Sequence, residues 1–390
     1  MRVSLITETY FPQVNGVSRT LGQLVRVLSE CGDTVQVVHP DYGEAASQEH
    51  VQFHRVRSIR MPFYRELCVP LPPFGNVRRA LDRFAPDIVH IATEATLGLT
   101  ALRHASARKI PMVSSFHTNF DQYSHHYRIG FANGLIWRYL RWFHNRTLET
   151  YVPSRVTIAD LDRRGFERLV LWPRGVDSTL FRPGRPGRAE VRARLGFGTD
   201  DVVIAYVGRI AAEKNVGYLA EALGIVGEVR PTARFLFVGD GPARAEIEPR
   251  MGPRAAFAGY RMGEDLADHY AAADLFAFTS LTETFGNVVL EAMASGLPVV
   301  ALRAGGVSDI VSAGETGALT DPDRPTSAFA SALIHLIDDA PARLAMSASA
   351  RAYAETQSWD EIMLALRHRY EQVIERTIAP RGLHVAGPVT

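Results

Sequence analysis

Residues 275–301 read LFAFTSLTETFGNVVLEAMASGLPVVA. An apolar run at 275–279 leads through a polar turn into a helix-period stretch that begins near Phe285 and Gly286 and closes at Ser295 and Gly296, and a second apolar run follows at 298–301. Strand, helix and strand in this order make a βαβ unit, whose two strands lie parallel in one sheet. The backbone amides of Phe285, Gly286 and Asn287 have no partner within that helix, and a helix start of this kind binds phosphate. Gly286 lets the backbone come close to an anion. Glu291 stands about one turn further in, where it is placed to take the hydroxyls of a ribose, and Glu283 precedes the helix, aimed at whatever is attached beyond the phosphates. The plainer alternative makes Glu283 an acid stabilised by the helix dipole and Glu291 an ordinary helix glutamate.

The same alternation extends outward from this stretch. Upstream in the second half, strands are predicted at 202–207, 234–238 and 255–258, with helices at 214–226 and 243–250. In the first half strands are predicted at 3–7, 34–39, 51–56, 87–92 and 112–116, and a helix at 17–31 carries Val17, Leu21, Leu24, Val25 and Leu28 on one face. Between the halves, WPRGVDSTLFRPGRPGR (172–188) is dense in Pro, Gly and Arg without periodicity, as an interdomain linker is. After Asp321 the chain reads as mostly helical, from 327 to about 376. The expected architecture is α/β, with two Rossmann-like, doubly wound domains at 1–172 and 189–358 joined by a linker at 173–188. A helix at 359–378 packs back on the first domain, and a tail at 379–390 is frayed. Ligands of such a fold bind in the cleft between the carboxyl ends of the two sheets.

Composition narrows the function classes. The chain has 390 residues, which suits two or three domains, and its 46% hydrophobic and 22% charged content is that of an ordinary globular protein rather than a disordered or collagenous one. Lys plus Arg total 43 against 42 acids, so no global field exists for holding nucleic acid, and any basic site must be local. Cys31 and Cys68 are too few for a disulfide framework and lack zinc-site spacing, which fits a reducing compartment. The opening apolar run is short for a signal-peptide core and reads as a strand, and nowhere do about 18 apolar residues run uninterrupted, so cytoplasmic placement with at most peripheral membrane contact is expected.

Glu283 and Glu291, with seven residues between them around a Phe-Gly-Asn turn, resemble the signature of the retaining nucleotide-sugar glycosyltransferases of family 4, which have the GT-B fold. Other segments agree in the family's order. VGRIAAEKN resembles the strand, loop and helix in which an Arg and a Lys hold the donor diphosphate, here Arg209 and Lys214. FVGDGP, with Gly239, Asp240 and Gly241, resembles the next strand and turn, and VNGV, with Asn15 and Gly16, resembles the amino-domain loop that meets the donor phosphate across the cleft. SSFHTNF places His117 where the family places a histidine beside the transferred sugar, and RGVDSTLF resembles the linker motif.

The resemblance implies a nucleotide-sugar donor and no metal. A nucleoside diphosphate gathers negative charge as it leaves, and Arg209, Lys214 and the helix-start amides would stabilise it. Two Asp-x-Asp runs, Asp160/Asp162 and Asp321/Asp323, resemble the metal-binding pair of the other main glycosyltransferase fold. They read more simply as an N-cap of the short helix LDRRGF at Asp160 and a Pro-bounded turn at Asp321. His117, at a strand end facing the cleft, is either a satisfied structural residue or, by the resemblance, a hydrogen-bond partner of the sugar. His125 and His126 read as surface or acceptor-loop residues. Tyr260 and Arg261, after a strand, either pack in their loop or meet the nucleobase. VGDGPAR lacks the third glycine of a dinucleotide fingerprint, Arg244 standing there, and no Gly-Lys-Ser/Thr loop exists, so hydride transfer and P-loop chemistry are poorly supported.

Two segments suggest a lipid surface. Residues 134–150 combine Trp137, Tyr139, Trp142 and Phe143 with Arg138, Arg141 and Arg146, and a predicted helix at 76–84 carries Arg78, Arg79 and Arg83. Such helices rest on anionic bilayers, or else bury their aromatics in the domain core with arginines in water. The expected activity is transfer of a hexose with α-linkage to a lipid or glycan hydroxyl held by the first domain. TETYFPQVNGVSRT resembles bacterial α-mannosyltransferases using GDP-mannose and diacylglycerol glycosyltransferases using UDP-sugars, so GDP-mannose is the expected donor and a UDP-hexose the alternative. Outside this class stand a sugar-nucleotide epimerase, which needs acid and base groups at a sugar carbon, and a bilobed sugar-binding protein, which needs no Arg209, Lys214 and Glu283 together.

Overall fold

The computed structural model describes residues 1–13, 15–43, 49–61, 64–117 and 133–378. Its opening run, RVSLI, is a strand buried from its second residue on, as expected where helices cover both faces of a parallel sheet. In the first domain the strands are β1 (Arg2–Ile6), β2 (Thr34–Pro40), β3 (Val51–Val56), β4 (Ser58–Met61), β5 (Tyr64–Pro70), β6 (Ile88–Ile91), β7 (Met112–Ser115), β8 (Thr150–Val152) and β9 (Leu169–Leu171). Helices α1 (Gly16–Glu30), α2 (Gly75–Phe84), α3 (Thr96–Arg108), α4 (Asn133–His144) and α5 (Arg155–Arg163) connect them. Among the described residues the main sheet is parallel with order β3-β2-β1-β6-β7-β8-β9, and β4 and β5 form a separate antiparallel pair.

After α6 (Gly187–Arg194) the second domain repeats the plan, with β10 (Val202–Val207), α7 (Val216–Val229), β11 (Ala233–Val238), α8 (Arg244–Met251), β12 (Ala255–Gly259), α9 (Gly263–Ala272), β13 (Leu275–Phe278), α10 (Asn287–Ala294), β14 (Val299–Leu302), α11 (Val307–Ile310) and β15 (Gly317–Thr320). Its parallel sheet runs β12-β11-β10-β13-β14-β15. Chain order reverses between β1 and β6 in the first sheet and between β10 and β13 in the second. Those two switch points are where a doubly wound sheet opens a crevice.

The helical carboxyl end is three helices, α12 (Thr326–Asp338), α13 (Ala340–Glu355) and α14 (Trp359–Ile378). The first break falls at Asp339, whose side chain accepts the Ala342 amide, with Pro341 in the first turn beyond it. The second falls where Val176 of the linker bridges to Ser358. From there α14 lies on the first domain, with Met363, Leu366, Tyr370 and Val373 inside that domain's core. Arg369 and Arg376 both reach Glu149, and Arg367 reaches Asp33.

Several expectations need correcting. The pattern reading omitted β4, β5, β8, β9 and β15: β4, β8, β9 and β15 have only three or four residues and show too little period to register, and in the seven-residue β5 the adjacent Arg65 and Glu66 break the alternation. Asp160 is not an N-cap, because the helix begins five residues earlier, where Ser154 accepts the Thr157 amide, and Asp160 lies inside it, paired with Arg163 and Arg164. Of the aromatics at 134–150, Phe143 is fully buried, Trp137 stacks on Phe116, and the Tyr139 hydroxyl donates to the Glu94 carbonyl. Trp142 is the exception, 36% exposed under the Arg146 guanidinium. His125, His126 and the tail at 379–390 lie outside the described residues.

Candidate active site

At the switch point of the second sheet, the loop after β10 and the loop after β13 bring two expected residues together. Lys214 Nζ donates to Glu283 Oε1 at 2.5 Å, both side chains being about one-quarter exposed. Arg209, from the same β10 loop, is half exposed and pairs with Glu213 at 3.3 Å. Glycines hold these loops in place. A Cβ on Gly239 would lie 2.0 Å from the Gly208 carbonyl oxygen, and one on Gly241 would lie 2.3 Å from that of Ile210, so both let neighbouring loops touch backbone to backbone. The Asp240 carboxylate accepts the Gly241 amide.

The loop bearing Glu283 is buttressed from β14. Gly306 donates its amide to the Glu283 carbonyl at 2.8 Å, and a Cβ on Gly305, which has φ +52°, would lie 2.3 Å from that same oxygen. Phe285 is buried beneath. Gly286, at φ +104°, precedes α10, and no side chain caps this helix start. Asn287 opens the helix with its Oδ1 buried and without a partner among the described residues. Facing it from the first domain is Gly16, where an added Cβ would stand 3.4 Å from Asn287 Nδ2.

Glu291 is buried, with both oxygens engaged: Arg19 Nη1 donates to Oε1 and the Tyr270 hydroxyl to Oε2, each at 3.0 Å. Burial raises its pKa, while Arg19 and Tyr270 oppose that shift. A carboxylate offers about four acceptor positions, so two remain for an incoming hydroxyl.

His117 follows β7 and sits in a chain of hydrogen bonds. Arg174 Nη2 lies 3.1 Å from its Nδ1, Ser115 Oγ lies 2.8 Å from its Nε2, His90 Nε2 lies 2.8 Å from the same Oγ, and His90 Nδ1 lies 2.5 Å from the Tyr370 hydroxyl. A guanidinium only donates, which assigns an unprotonated Nδ1 and a proton on Nε2 directed at Ser115. Burial first, then Arg174, hold the His117 pKa well below its usual value, so the ring is neutral. Both ring nitrogens are spent inside the protein. The group of His117 that reaches the other lobe is its carbonyl, which accepts from Thr284 Oγ1 at 3.3 Å.

The remaining expected residues are dispersed. Asn15 caps α1: its Oδ1 accepts the Ser18 amide and its Nδ2 donates to Thr9 Oγ1. Arg261 donates to the Ala258 carbonyl and pairs with Asp265, shaping the loop after β12, and Tyr260 is 63% exposed. Arg78, Arg79 and Arg83 lie on α2, away from these loops. Of the Asp-x-Asp acids, Asp321 pairs with Arg303. Among the described residues no group of three or more His, Cys, Asp or Glu is arranged to hold a metal ion.

The sequence reading missed Arg19, Arg174, Tyr270 and the Gly305-Gly306 pair. It also missed Glu8, at the first sheet's switch point, whose Oε1 accepts the Leu97 amide at 2.7 Å while Oε2 is buried without a partner among the described residues. Burial, and the neighbouring Glu94, push its pKa to about 8. Its only available signal was a lone acid directly after an apolar strand.

With this geometry in place, comparison with known proteins adds the lineage. The Glycosyltransferase Family 4 signature matches residues 14–180, and that of the Glycosyl transferases group 1 matches residues 201–339. A GDP-mannose-dependent alpha-mannosyltransferase of Mycobacterium tuberculosis is 34% identical over 96% of this chain and 97% of its own. Sulfoquinovosyl transferase SQD2 of Arabidopsis thaliana is 33% identical over 100% of this chain and 77% of its own. An alpha-monoglucosyldiacylglycerol synthase of Streptococcus pneumoniae is 28% identical over 77% and 71%. Among solved structures, sucrose-phosphate synthase from Thermosynechococcus elongatus superposes with a TM-score of 0.79 at 21% identity over 96% of this chain and 99% of that one. Anabaena HepE in complex with UDP and glucose superposes with a TM-score of 0.76 at 20% identity over 95% and 99%. The chain therefore belongs to family 4 of the glycosyltransferases and has their two-domain GT-B fold.

Proposed function

We propose that the protein is a retaining, metal-independent hexosyltransferase that takes mannose from GDP-mannose and passes it, with α-linkage, to a lipid or glycan hydroxyl held in the first domain. The observation that carries this reading is the 2.5 Å contact of Lys214 and Glu283 at the second sheet's switch point, beside the uncapped start of α10 and opposite Gly16. A diphosphate there meets Lys214, Arg209 and the α10 amides, which stabilise the charge it gathers as the glycosidic bond breaks. Glu283 then turns to the sugar hydroxyls, Glu291 to the ribose, and the His117 carbonyl faces the sugar from the first domain. Tyr260 and Arg261 border the nucleobase. The relatives that match over nearly all of their own length and are named for GDP-mannose favour that donor. A UDP-hexose is the second reading, favoured by the UDP held in HepE, with a glucosyl group named for the diacylglycerol relative. Peripheral contact with an anionic cytoplasmic membrane face, through Arg78, Arg79 and Arg83, belongs to the same reading.

A thermal-shift panel of GDP, UDP, ADP and their sugars, with and without magnesium, tests it. Stabilisation by GDP and GDP-mannose above the others, unchanged by magnesium, is the expected result. Preference for UDP moves the donor to the second reading, a magnesium requirement removes the metal-free mechanism, and stabilisation by no nucleotide removes the whole proposal.

A further inference from the structure

On the flank of the first domain, away from the cleft loops, α2 and the edge strand β3 enclose a concave pocket of about 210 Å³. Its wall is built by two periodicities. Asn76, Arg79 and Arg83 recur at helical spacing on one face of α2, while Gln52 and His54 alternate on β3 and Gln36 stands beside Gln52 on β2. No acid lines it.

The pocket's cations and donors have nothing to hold. Arg79, Arg83 and Gln52 make no ion pair or hydrogen bond with the described residues, and His54 Nε2 is buried without a partner. Asn76 spends its Oδ1 on the Val77 amide, which leaves its NH2 group. The acids nearest in sequence are used elsewhere: Asp82, on the same helix, binds His104 and Arg108, and Asp87 accepts the Arg2 amide. Burial, and after it the Arg83 charge, keep the His54 pKa below its usual value, so Arg83 is felt inside the pocket. Two guanidiniums a helical turn apart, beside an imidazole and two side-chain amides, form a donor-rich concavity with uncompensated positive charge. Arginine forks match the oxygens of phosphate two at a time, and a volume of this order, below that of drug-sized sites at roughly 300–1,000 Å³, suits one small anion.

We propose that this pocket is a phosphate-binding site, distinct from the donor cleft, whose ligand is a phosphate group borne by a lipid headgroup or by a soluble compound. It deepens the membrane contact proposed for Arg79 and Arg83 but does not rest on the transfer reaction, so its failure leaves the transferase reading standing.

The test is calorimetric titration of the full chain with inorganic phosphate at constant ionic strength, paired with co-sedimentation on phosphatidylcholine vesicles with and without phosphatidylglycerol. Arg79→Gln/Arg83→Gln is expected to weaken phosphate binding at the pocket at least tenfold, and His54→Gln about threefold. Arg79→Lys/Arg83→Lys retains part of the affinity, and Lys214→Ala, which alters the cleft, leaves the pocket's binding in place. Both arginines are exposed and without partners among the described residues, so the variants should fold, with circular dichroism as the check. Sedimentation with phosphatidylglycerol vesicles that inorganic phosphate reverses and the Gln variant lacks assigns the lipid headgroup. Phosphate binding without sedimentation assigns a soluble ligand. If the Gln double variant binds phosphate and vesicles like the natural protein, or if the natural protein binds neither, the proposal fails.

Discussion

Arg19 of α1 donates to Glu291 of α10 at 3.0 Å, and so one ion pair joins the first turn of one domain's opening helix to a buried carboxylate in the helix that the proposed reading sets against the diphosphate. Glu291 is 8% exposed at its side chain and Arg19 42%. Removing Arg19 leaves a carboxylate that burial pushes toward its neutral form, a poorer acceptor for a hydroxyl. Arg19→Ala should raise the donor KM about tenfold with kcat within about twofold, the half-exposed arginine limiting the effect. Arg19→Lys should recover part of the loss, and in a double-mutant cycle Arg19→Ala and Glu291→Gln should be less than additive. Equal donor KM in Arg19→Ala and the natural protein would remove Arg19 from donor binding.

Lys214 and Glu283 are in contact, yet their losses should separate. Glu283→Ala should reduce transfer by about a thousandfold while nucleotide affinity stays within about threefold, if, as proposed, the carboxylate serves the sugar rather than the diphosphate. Lys214→Ala should weaken nucleotide binding by roughly tenfold to a hundredfold, because it removes one of the cations proposed to meet the diphosphate. Binding isotherms for the nucleoside diphosphate and initial rates for transfer read the two effects independently. Full activity in both variants would displace the site.

His117 is neutral because burial and Arg174 disfavour its charged form, and acidification through the ordinary histidine range should leave it so. The kcat profile should therefore show no acid limb near pH 6.5 from this residue. Arg174, itself pushed down to about 9 by burial yet still charged at neutral pH, is the charge that Arg174→Gln removes while keeping a donor for Nδ1. Its loss lets His117 take up a proton at higher pH, so an acid limb should move upward toward 6.5. An unchanged profile would mean that Arg174 does not set the state of His117.

The contiguous part of the site was legible because its chemistry lies within single strand–turn–helix units: Glu283, Gly286 and Asn287 follow one strand, and Arg209 and Lys214 another. Arg19 was present in the same quoted stretch as Asn15 and Gly16, but its partner lies 272 residues away, and no local pattern announces a contact of that range. Arg174 read as one more arginine of a linker, whereas its fixed position against His117, 57 residues earlier, arises from where the linker crosses β7's end. Gly239 and Gly241 were noticed as part of a strand and turn like the family's, and the structure adds a packing reason for both. The same locality explains the fold: long runs buried on both faces were readable, and the three-residue strands β8 and β9, which only pairing creates, were not.

Glu8 supplies a prediction that does not depend on substrate. Its carboxyl holds a proton in the folded chain up to a pKa of about 8, because burial and Glu94 oppose ionisation, while in the unfolded chain it ionises near 4.5. Between those values the folded state binds the extra proton, so this contribution to stability is full below about pH 4.5 and is lost as pH rises through about 8. Glu8→Gln keeps an acceptor for the Leu97 amide and cannot ionise. Its melting temperature relative to the natural protein should therefore climb by a few degrees between pH 5 and pH 9, rising through the window and levelling above it. Calorimetric scans at four or five pH values decide the matter: a difference that stays constant across the range would mean that Glu8 is ionised, and solvated, in the folded chain.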